Sequence, residues 1–222
     1  MQRALRNNSL SMAMFGAFAI SLLFMTFAGA RQYNEDQRDH GEQTISYPHY
    51  LTTGAFVEAV FENWESEFLQ MGAFVLLTVY LRQRGASESK DPDGGRETVD
   101  EDPRQADIDD DAPWLARTGG VKLWLYERSL TLALFALFLV SFLLHAAGGA
   151  REYSADQLAH GGQAVGMLKY LTTSQMWFES FQNWQSEFLS VGVLIVLSIF
   201  LRQRGSTESK PVAAPHAQTG TG

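Results

Sequence analysis

The chain of 222 residues contains no cysteine. This absence excludes disulfide bonds, thiolate metal sites and cysteine nucleophiles. Basic residues are also in the minority, with 17 Lys and Arg against 25 Asp and Glu, and the resulting net charge of −8 argues against nucleic-acid binding. The sequence has no Gly-rich phosphate loop, no Gly-x-Ser-x-Gly motif and no His-Glu-x-x-His motif. Nothing in it therefore indicates an enzyme, although these absences do not exclude one, and no cofactor is predicted.

Apolar residues are concentrated in four blocks, while acidic residues crowd into positions 88–111. The apolar blocks and the acidic stretch cancel in the average, so the mean hydropathy of −0.12 is similar to that of an ordinary soluble protein. The block from Leu10 to Ala30 carries no charge and has the ~20 residues that are needed to cross ~30 Å of hydrocarbon. The other blocks cover residues 61–81, 130–150 and 181–201. This pattern predicts four membrane spans in a lipid bilayer.

The sequence of the first half recurs in the second half without a gap. The stretch Phe61-Glu-Asn-Trp-Glu-Ser-Glu-Phe-Leu returns from position 181 as Phe181-Gln-Asn-Trp-Gln-Ser-Glu-Phe-Leu, an offset of 120 residues. Each copy contains two spans, so both copies insert in the same direction, as a parallel repeat. We expect an all-α, integral membrane four-helix bundle made of two tandem helical hairpins. The predicted segments are a first two-span repeat (1–90), a disordered acidic cytoplasmic linker (91–120), a second repeat (121–210) and a disordered tail (211–222).

The Lys and Arg residues outside the spans favour one orientation. Most of them lie on the side of the termini and the linker, and the opposite side holds only Arg31, Arg38, Arg151 and Lys169. The positive-inside bias therefore places both termini in the cytoplasm, which for a bacterial plasma (inner) membrane is the inner side. A cleaved signal peptide ending at Ala28-Gly-Ala30 is the alternative for the first span. The equivalent Gly148-Gly-Ala150 in the middle of the chain argues against it.

Helix ends can be placed from local signals. Gly41 and Gly161 stand where a left-handed cap would end a helix that protrudes two or three turns from the membrane. Tyr50-Leu-Thr-Thr53 offers a threonine N-cap for the returning helix, which we expect to run from about residue 54 to about residue 84.

A polar face in the second span of each repeat is the first candidate site. It consists of Asn63, Ser66, Glu67 and Gln70, which are spaced to share one face of a helix and which we expect to point into the bundle, and in the second copy of Asn183, Ser186 and Glu187. A carboxylate inside a membrane is costly unless it is paired or protonated, and Arg31 or Arg151 is the predicted partner. One interpretation is a structural ion pair or interhelical hydrogen bond. The other is a proton or cation site in which Glu67 and Glu187 face each other across a pseudo-twofold axis.

Other polar residues have simpler interpretations beside the functional one. Asp36 with His40, and Asp156 with His160, form a ligand set for a divalent metal, but such spacing is also typical of local hydrogen-bonded pairs at helix ends. Trp64 and Trp184 are predicted interface anchors in the aromatic belt. His145 lies in the third span, but its counterpart is Met25, so we expect a buried neutral histidine without a chemical role.

Several doubled motifs resemble those of a known family. They are Asn63-Trp-Glu-Ser-Glu-Phe-Leu-Gln, Leu81-Arg-Gln-Arg-Gly with Glu88-Ser-Lys, the Asp36-Gln and His40-Gly pairs, and the acidic Asp-Pro-Arg linker. Together they resemble a family of uncharacterised bacterial multi-pass membrane proteins, a domain of unknown function, over nearly the whole chain. The resemblance implies membrane location but no activity, substrate or catalytic residue.

Two function classes follow from these features. The first is a structural or interaction protein of the membrane, in which the polar residues hold the bundle, the acidic linker binds a cytoplasmic partner, and homo-oligomers are compatible with the sequence. The second is a small-solute or ion transporter that uses Glu67 and Glu187. The inner halves of the spans hold few polar groups, and this favours the first class.

Overall fold

The protein is helical throughout the part of the chain that the computed structural model describes, residues 6–95, 97–106 and 111–220. Helix accounts for 67% of the structure, and the described residues contain no strand. The predicted all-α class is therefore confirmed. Residues 1–5, 96, 107–110 and 221–222 lie outside the described residues, and with them parts of the predicted linker and tail.

Seven α-helices follow one another in the part of the chain that the structure describes. Their bounds are α1 Ser9–Asp39, α2 Tyr47–Tyr50, α3 Gly54–Tyr80, α4 Gly120–Glu127, α5 Ser129–Ala159, α6 Met167–Tyr170 and α7 Ser174–Phe200, with 3-10 helices at Thr98–Asp100 and Trp114–Arg117. Helices α5, α6 and α7 begin and end 120 residues after α1, α2 and α3. The helix boundaries thus follow the offset of the sequence.

The two long helices α1 and α5 end as their sequences predict. Gly41 and Gly161 adopt φ angles of 74° and 78°, the left-handed region in which glycine carries no Cβ penalty. Helix α1 continues nine residues beyond Ala30 to Asp39, about two and a half turns. The predicted extension of the first helix is therefore confirmed.

Helix α3 begins as predicted but ends early. The Thr53 hydroxyl accepts the backbone N–H of Phe56 at 3.2 Å, and Thr173 caps α7 through Met176 in the same way at 3.3 Å. The expected end near residue 84 is wrong, because the helix stops at Tyr80. The N–H of Gln83 bonds to the hydroxyl of Ser89 at 2.7 Å instead of continuing the helix.

Three of the described helices are long and apolar enough to cross a membrane, α1, α5 and α7. Helix α3 is not among them. Its first half carries four glutamates, Glu58, Glu62, Glu65 and Glu67, whereas α7 carries two, Glu179 and Glu187.

The structure divides into two compact units. The first unit comprises residues 1–61 and 144–176, and the second unit comprises residues 62–143 and 177–222. Each unit combines segments from both sequence repeats. The predicted division into two repeats, a linker and a tail stays a prediction.

The described linker residues form short turns and ion pairs. Lys90 lies against Asp100, and Arg84 against Asp93 at 2.6 Å. The hydrogen bond from Lys90 is the main reason why the pKa of Asp100 lies below its usual value. Disorder of the linker stays a prediction. Helix α4, which the sequence analysis did not predict, follows it, and the guanidinium of Arg128 lies 4.9 Å from the centre of the Trp124 ring.

Candidate functional site

Two glycines in the first unit bring the backbones of α3 and α5 into contact. A Cβ atom placed on Gly148 would lie 2.5 Å from the backbone nitrogen of Glu58 and 3.0 Å from the carbonyl oxygen of Gly54. A Cβ atom on Gly54 would lie 2.7 Å from the carbonyl oxygen of Gly148. Small residues at a helix crossing allow this close approach, which in membranes favours dispersion contacts between backbones. The crossing fixes the position of Glu58 against α5.

A carboxylate, an imidazole and a phenol meet beside this crossing. The hydroxyl of Tyr170 donates to Oε1 of Glu58 at 3.1 Å. The ligating atoms of Glu58 and His145 lie within 4.8 Å of each other. His145 and Tyr170 are fully buried, with 0% of each side chain exposed. The three residues form the polar cluster of the first unit, and we call them the Glu58 cluster.

The Glu58 cluster has defined chemical capacities. The carboxylate of Glu58 and the imidazole of His145 can each offer one ligand atom to a metal ion. The tyrosine fixes the carboxylate orientation through its hydrogen bond, as outer-shell partners do for ligating groups. Gly149 makes room for the tyrosine, because a Cβ atom there would lie 2.5 Å from the hydroxyl oxygen.

A fully buried carboxylate lies in the second unit. Glu65 of α3 is fully buried, with 0% exposed, and its Oε1 accepts the indole N–H of Trp184 at 3.2 Å. The Trp184 ring also packs edge-on against Phe138 and Phe181, with centroids 6.2 Å and 5.3 Å away. Trp184 therefore has a specific hydrogen-bond partner inside the protein. Its predicted anchoring role at the interface, like that of half-buried Trp64, stays a prediction.

The predicted polar face is split in the structure. Ser66 and Gln70 are buried, whereas Asn63 and Glu67 are exposed. In the second copy Asn183 and Glu187 are half-buried and Ser186 is exposed. Each serine hydroxyl donates to the carbonyl three residues before it, Ser66 to Asn63 at 2.7 Å and Ser186 to Asn183 at 2.8 Å.

Glu67 and Glu187 lie close enough in the second unit for the charge of Glu67 to act on the carboxyl group of Glu187. Arg31 and Arg151, the predicted partners, are exposed on α1 and α5 in the first unit. The role of these charged residues stays a prediction.

The two Asp/His pairs are exposed at the ends of α1 and α5. Nδ1 of His40 lies 2.9 Å from the carbonyl oxygen of Asp36, and Nδ1 of His160 lies 2.9 Å from that of Asp156. Among the described residues, neither pair belongs to a group of three or more ligating side chains. A local contact at a helix end accounts for this spacing, and metal binding by the pairs stays a prediction.

The doubled Leu-Arg-Gln-Arg-Gly and Glu-Ser-Lys motifs form the same turn twice. Ser89 accepts the N–H of Gln83 at 2.7 Å, and Ser209 accepts the N–H of Gln203 at 2.9 Å. Gly85 and Gly205 stand in these turns with φ angles of 84° and 85°. The side chains of these motifs thus have a structural role after the ends of α3 and α7.

The two turns end differently at their lysines. Lys90 bonds to Asp100, whereas Nζ of Lys210 donates to the carbonyls of His216 and Gln218, each at 2.9 Å. Lys210 is 1% exposed. The described part of the predicted disordered tail therefore contacts Lys210, while disorder of the tail stays a prediction.

Comparison with protein families gives a match over almost the entire chain. The model of a family described as a domain of unknown function, DUF6766, covers residues 1–221. The chain belongs to this family. Comparison with curated proteins and with solved structures gave no match. The expected resemblance to a domain of unknown function is confirmed, and membership in DUF6766 brings no catalytic or ligand-binding residue with it.

The Glu58 cluster of this DUF6766 chain was missed by the sequence analysis, which judged residues by whether both repeats share them. Glu58 corresponds to Phe178, and His145 corresponds to Met25. Only Tyr170 has an identical counterpart, Tyr50. A search for positions where one repeat is polar and the other apolar would have found both residues, because such an exchange in a membrane helix needs a partner.

Proposed function

We propose that this chain is a four-span membrane protein with a structural or interaction role, built from two tandem helical hairpins. The observation that carries the proposal is the surface of α1. Of its 31 residues, all of which the structure describes, Thr26 and Ala30 are the buried ones. Its large exposed apolar side chains are Leu10, Met12, Met14, Phe15, Phe18, Ile20, Leu23, Phe24 and Phe27. An apolar surface of this length is unfavourable in water and matches the hydrocarbon of a bilayer.

Helix α3 serves as the fourth span in this proposal. Two of its glutamates accept hydrogen bonds from aromatic side chains, Glu58 from buried Tyr170 and Glu65 from half-buried Trp184. Such bonds offset part of the cost of placing a carboxyl group in hydrocarbon. The exposed remainder of α3 beyond Met71 is apolar, with Leu76, Leu77 and Val79 on its surface.

A structural role accounts for the interior contacts better than transport does. The carboxyl groups of half-buried Glu58 and buried Glu65 accept hydrogen bonds from aromatic side chains, and helix backbones touch at Gly54 and Gly148. These contacts hold helices together, as a structural role requires. The acidic linker and the exposed apolar helix faces are the surfaces on which we expect a cytoplasmic partner and a second copy of the chain to bind.

Single cysteines test the topology without background, because the natural chain has none. Asp36→Cys and His160→Cys should react in intact bacterial cells with a membrane-impermeant maleimide. Arg84→Cys and Arg204→Cys should react only after the inner membrane is opened. Labelling of Arg84→Cys in intact cells, or recovery of the protein in the soluble fraction, would refute the proposed topology.

Interaction is tested separately from topology. We expect the purified protein in detergent to have a mass above that of one chain by light scattering, or to capture a defined cytoplasmic protein that a variant lacking residues 91–106 does not capture. A monomer that captures the same proteins with and without the linker would contradict the proposed interaction role.

A second candidate function, cation or proton transport, is favoured by the closeness of Glu67 and Glu187. Two carboxyl groups that repel each other favour binding of a proton or a cation between them. Liposomes that contain the wild-type protein should then show a pH- or cation-dependent flux that is lost in the Glu67→Gln/Glu187→Gln double variant. Equal flux in both preparations, or no flux above protein-free liposomes, would contradict this candidate.

A further inference from the structure

A cavity of about 520 Å³ lies in the second unit, between the C-terminal halves of α3 and α7 and the turn that follows α3. Its walls are apolar along most of their length, with Met71, Phe74 and Val75 on α3 and Phe188, Val191 and Ile195 on α7. Water in such a cavity would find few hydrogen-bond partners. A hydrocarbon chain is therefore a better match than water for this space.

The cavity is open because a glycine that is covered in one repeat is uncovered in the other. A Cβ atom on Gly72 would touch Leu134 at 3.4 Å and Phe135 at 3.5 Å, which is ordinary packing. The equivalent Gly192 lines the cavity, and no atom lies within 4 Å of a Cβ atom there. Side chains of the protein thus fill the space next to Gly72, whereas the space next to Gly192 is empty.

The length of the cavity matches one leaflet of a bilayer. Its lining runs from Gln70 on α3 to Leu81, the residue directly after α3. The N–H of Leu81 still bonds to the carbonyl of Leu77, so this stretch has the helical rise and is about 17 Å long. One leaflet contributes about half of the ~30 Å hydrocarbon core. A single acyl chain that lies along α3 and α7 would therefore extend from the cytoplasmic surface to the middle of the membrane.

The cytoplasmic end of the cavity carries two opposite charges. Arg82 and Glu88 both line it, together with Gln83, Ser87 and Ser89. Nη1 of Arg82 donates to the carbonyls of Val79 and Leu81, at 3.1 Å and 3.3 Å, which holds the guanidinium at the end of α3.

Glu88 does not stand alone at this end, because the charge of Glu208 acts on its carboxyl group. The lining consequently offers the cation of Arg82 for a phosphate and the carboxyl group of Glu88 for an ammonium group. A zwitterionic amine headgroup matches both.

We propose that this cavity binds one acyl chain of an inner-leaflet phosphatidylethanolamine, with its phosphate at Arg82 and its ammonium group at Glu88. The proposal rests on the proposed membrane insertion of α3 and α7. It gives the cavity a ligand and explains why the opposite charges of Arg82 and Glu88 lie at its end. The contribution of the acyl chain comes from apolar burial, and that of the headgroup comes from the two charges.

Two variants test the binding of the acyl chain and the binding of the headgroup separately. Gly192→Phe puts a side chain into the cavity, where a Cβ atom meets no neighbour. Its matched control is Val193→Phe, at the next residue of α7, which is 46% exposed and does not line the cavity. Glu88→Gln leaves the cavity open and removes the partner of the ammonium group.

The experiment counts lipids on the full-length protein after extensive washing in mild detergent, by native mass spectrometry, and then titrates back phosphatidylethanolamine, phosphatidylglycerol or a free fatty acid. We expect one retained phosphatidylethanolamine on wild type and on Val193→Phe, and none on Gly192→Phe. We expect Glu88→Gln to weaken phosphatidylethanolamine binding about fivefold and to leave phosphatidylglycerol binding unchanged.

Three results would overturn the proposal: retention of the lipid by Gly192→Phe, equal affinity of wild type for the three lipids, or unchanged phosphatidylethanolamine affinity in Glu88→Gln. The last variant decides the matter if Gly192→Phe does not fold. Extraction of the same membranes with alkaline carbonate keeps this test separate from the proposed function. A protein that stays in the membrane but binds lipid without preference refutes only the lipid site, whereas a protein released by carbonate refutes membrane insertion.

Discussion

Tyr170 donates its hydroxyl hydrogen to Oε1 of Glu58 at 3.1 Å, although 112 residues of sequence separate them. The bond joins the second repeat to the first within the first unit. The equivalent bond from Tyr50 cannot form, because the position equivalent to Glu58 is Phe178, which has no hydrogen-bond acceptor in its side chain. The two equivalent tyrosines, Tyr50 and Tyr170, therefore cannot form the same bond, and this difference can be tested by changing each tyrosine in turn.

Tyr170→Phe should lower the stability of the protein more than Tyr50→Phe. The first change removes a partly buried hydrogen bond to a carboxyl group, for which we expect a loss of about 1 kcal/mol in the free energy of unfolding. Both tyrosines are buried, with 0% and 4% exposed, so the apolar contribution of the two changes is similar. Thermal unfolding in detergent measures the difference, and equal melting temperatures for the two variants would show that the bond to Glu58 contributes nothing.

Gly148→Ala should destabilise the crossing of α3 and α5. The added Cβ atom would lie 2.5 Å from the backbone nitrogen of Glu58, and a backbone atom moves only with its helix. Overpacking of this kind costs about 1–3 kcal/mol. Gly16→Ala in α1 is the matched control, because no atom lies within 4 Å of its Cβ atom and alanine is the better helix former. We expect a lower melting temperature for the first variant and an unchanged or higher one for the second, and the reverse order would contradict the crossing.

Local signals in the sequence were sufficient to predict the ends of several helices. Gly41, Gly161 and Thr53 act at the backbone of their own segment, and the structure shows the left-handed φ angles and the N-cap bond that they predict. The end of α3 was predicted four residues too late. Its position depends on Ser89, which accepts the N–H of Gln83 from six residues further along the chain, a competition that hydrophobic periodicity does not reveal.

The buried carboxyl groups were harder to predict than the helices. The spacing of polar residues pointed to Glu67, but the structure buries Glu65 and leaves Glu67 exposed. Both residues lie in the same helical segment, and Glu65 is the one that accepts the indole N–H of Trp184. Partners on other helices are a tertiary property, and a single sequence carries no direct signal for them.

Trp184→Phe should destabilise the second unit through the loss of one hydrogen bond. Phenylalanine keeps most of the packing against Phe138 and Phe181 but cannot donate to Glu65, and we expect a loss of about 1–2 kcal/mol in the free energy of unfolding. Trp114→Phe is the control, because Trp114 is 65% exposed. Thermal unfolding in detergent should show a lower melting temperature for the first variant alone. A wild-type melting temperature for Trp184→Phe would show that the buried carboxyl group does not need the indole.

Glu88→Gln should stabilise the purified protein in phospholipid-free detergent at pH 7 and lose this advantage in acid. Partial burial raises the pKa of Glu88 above its usual value of 4.5, and the charge of Glu208 raises it further. The folded chain therefore holds this proton more tightly than the unfolded chain does. The stabilisation by protonation is complete below pH 4.5 and is lost as the pH rises through the raised pKa.

Glutamine removes the ionised form, so the variant should melt about 1–2 °C above wild type at pH 7, a small shift because the side chain keeps contact with solvent. At pH 4 the two melting temperatures should coincide. Glu101→Gln makes the same change of charge at an exposed linker position and serves as the control. An equal gain for both variants at pH 7, or a gain for Glu88→Gln that persists at pH 4, would mean that overall charge rather than the neighbourhood of Glu88 and Glu208 sets the stability.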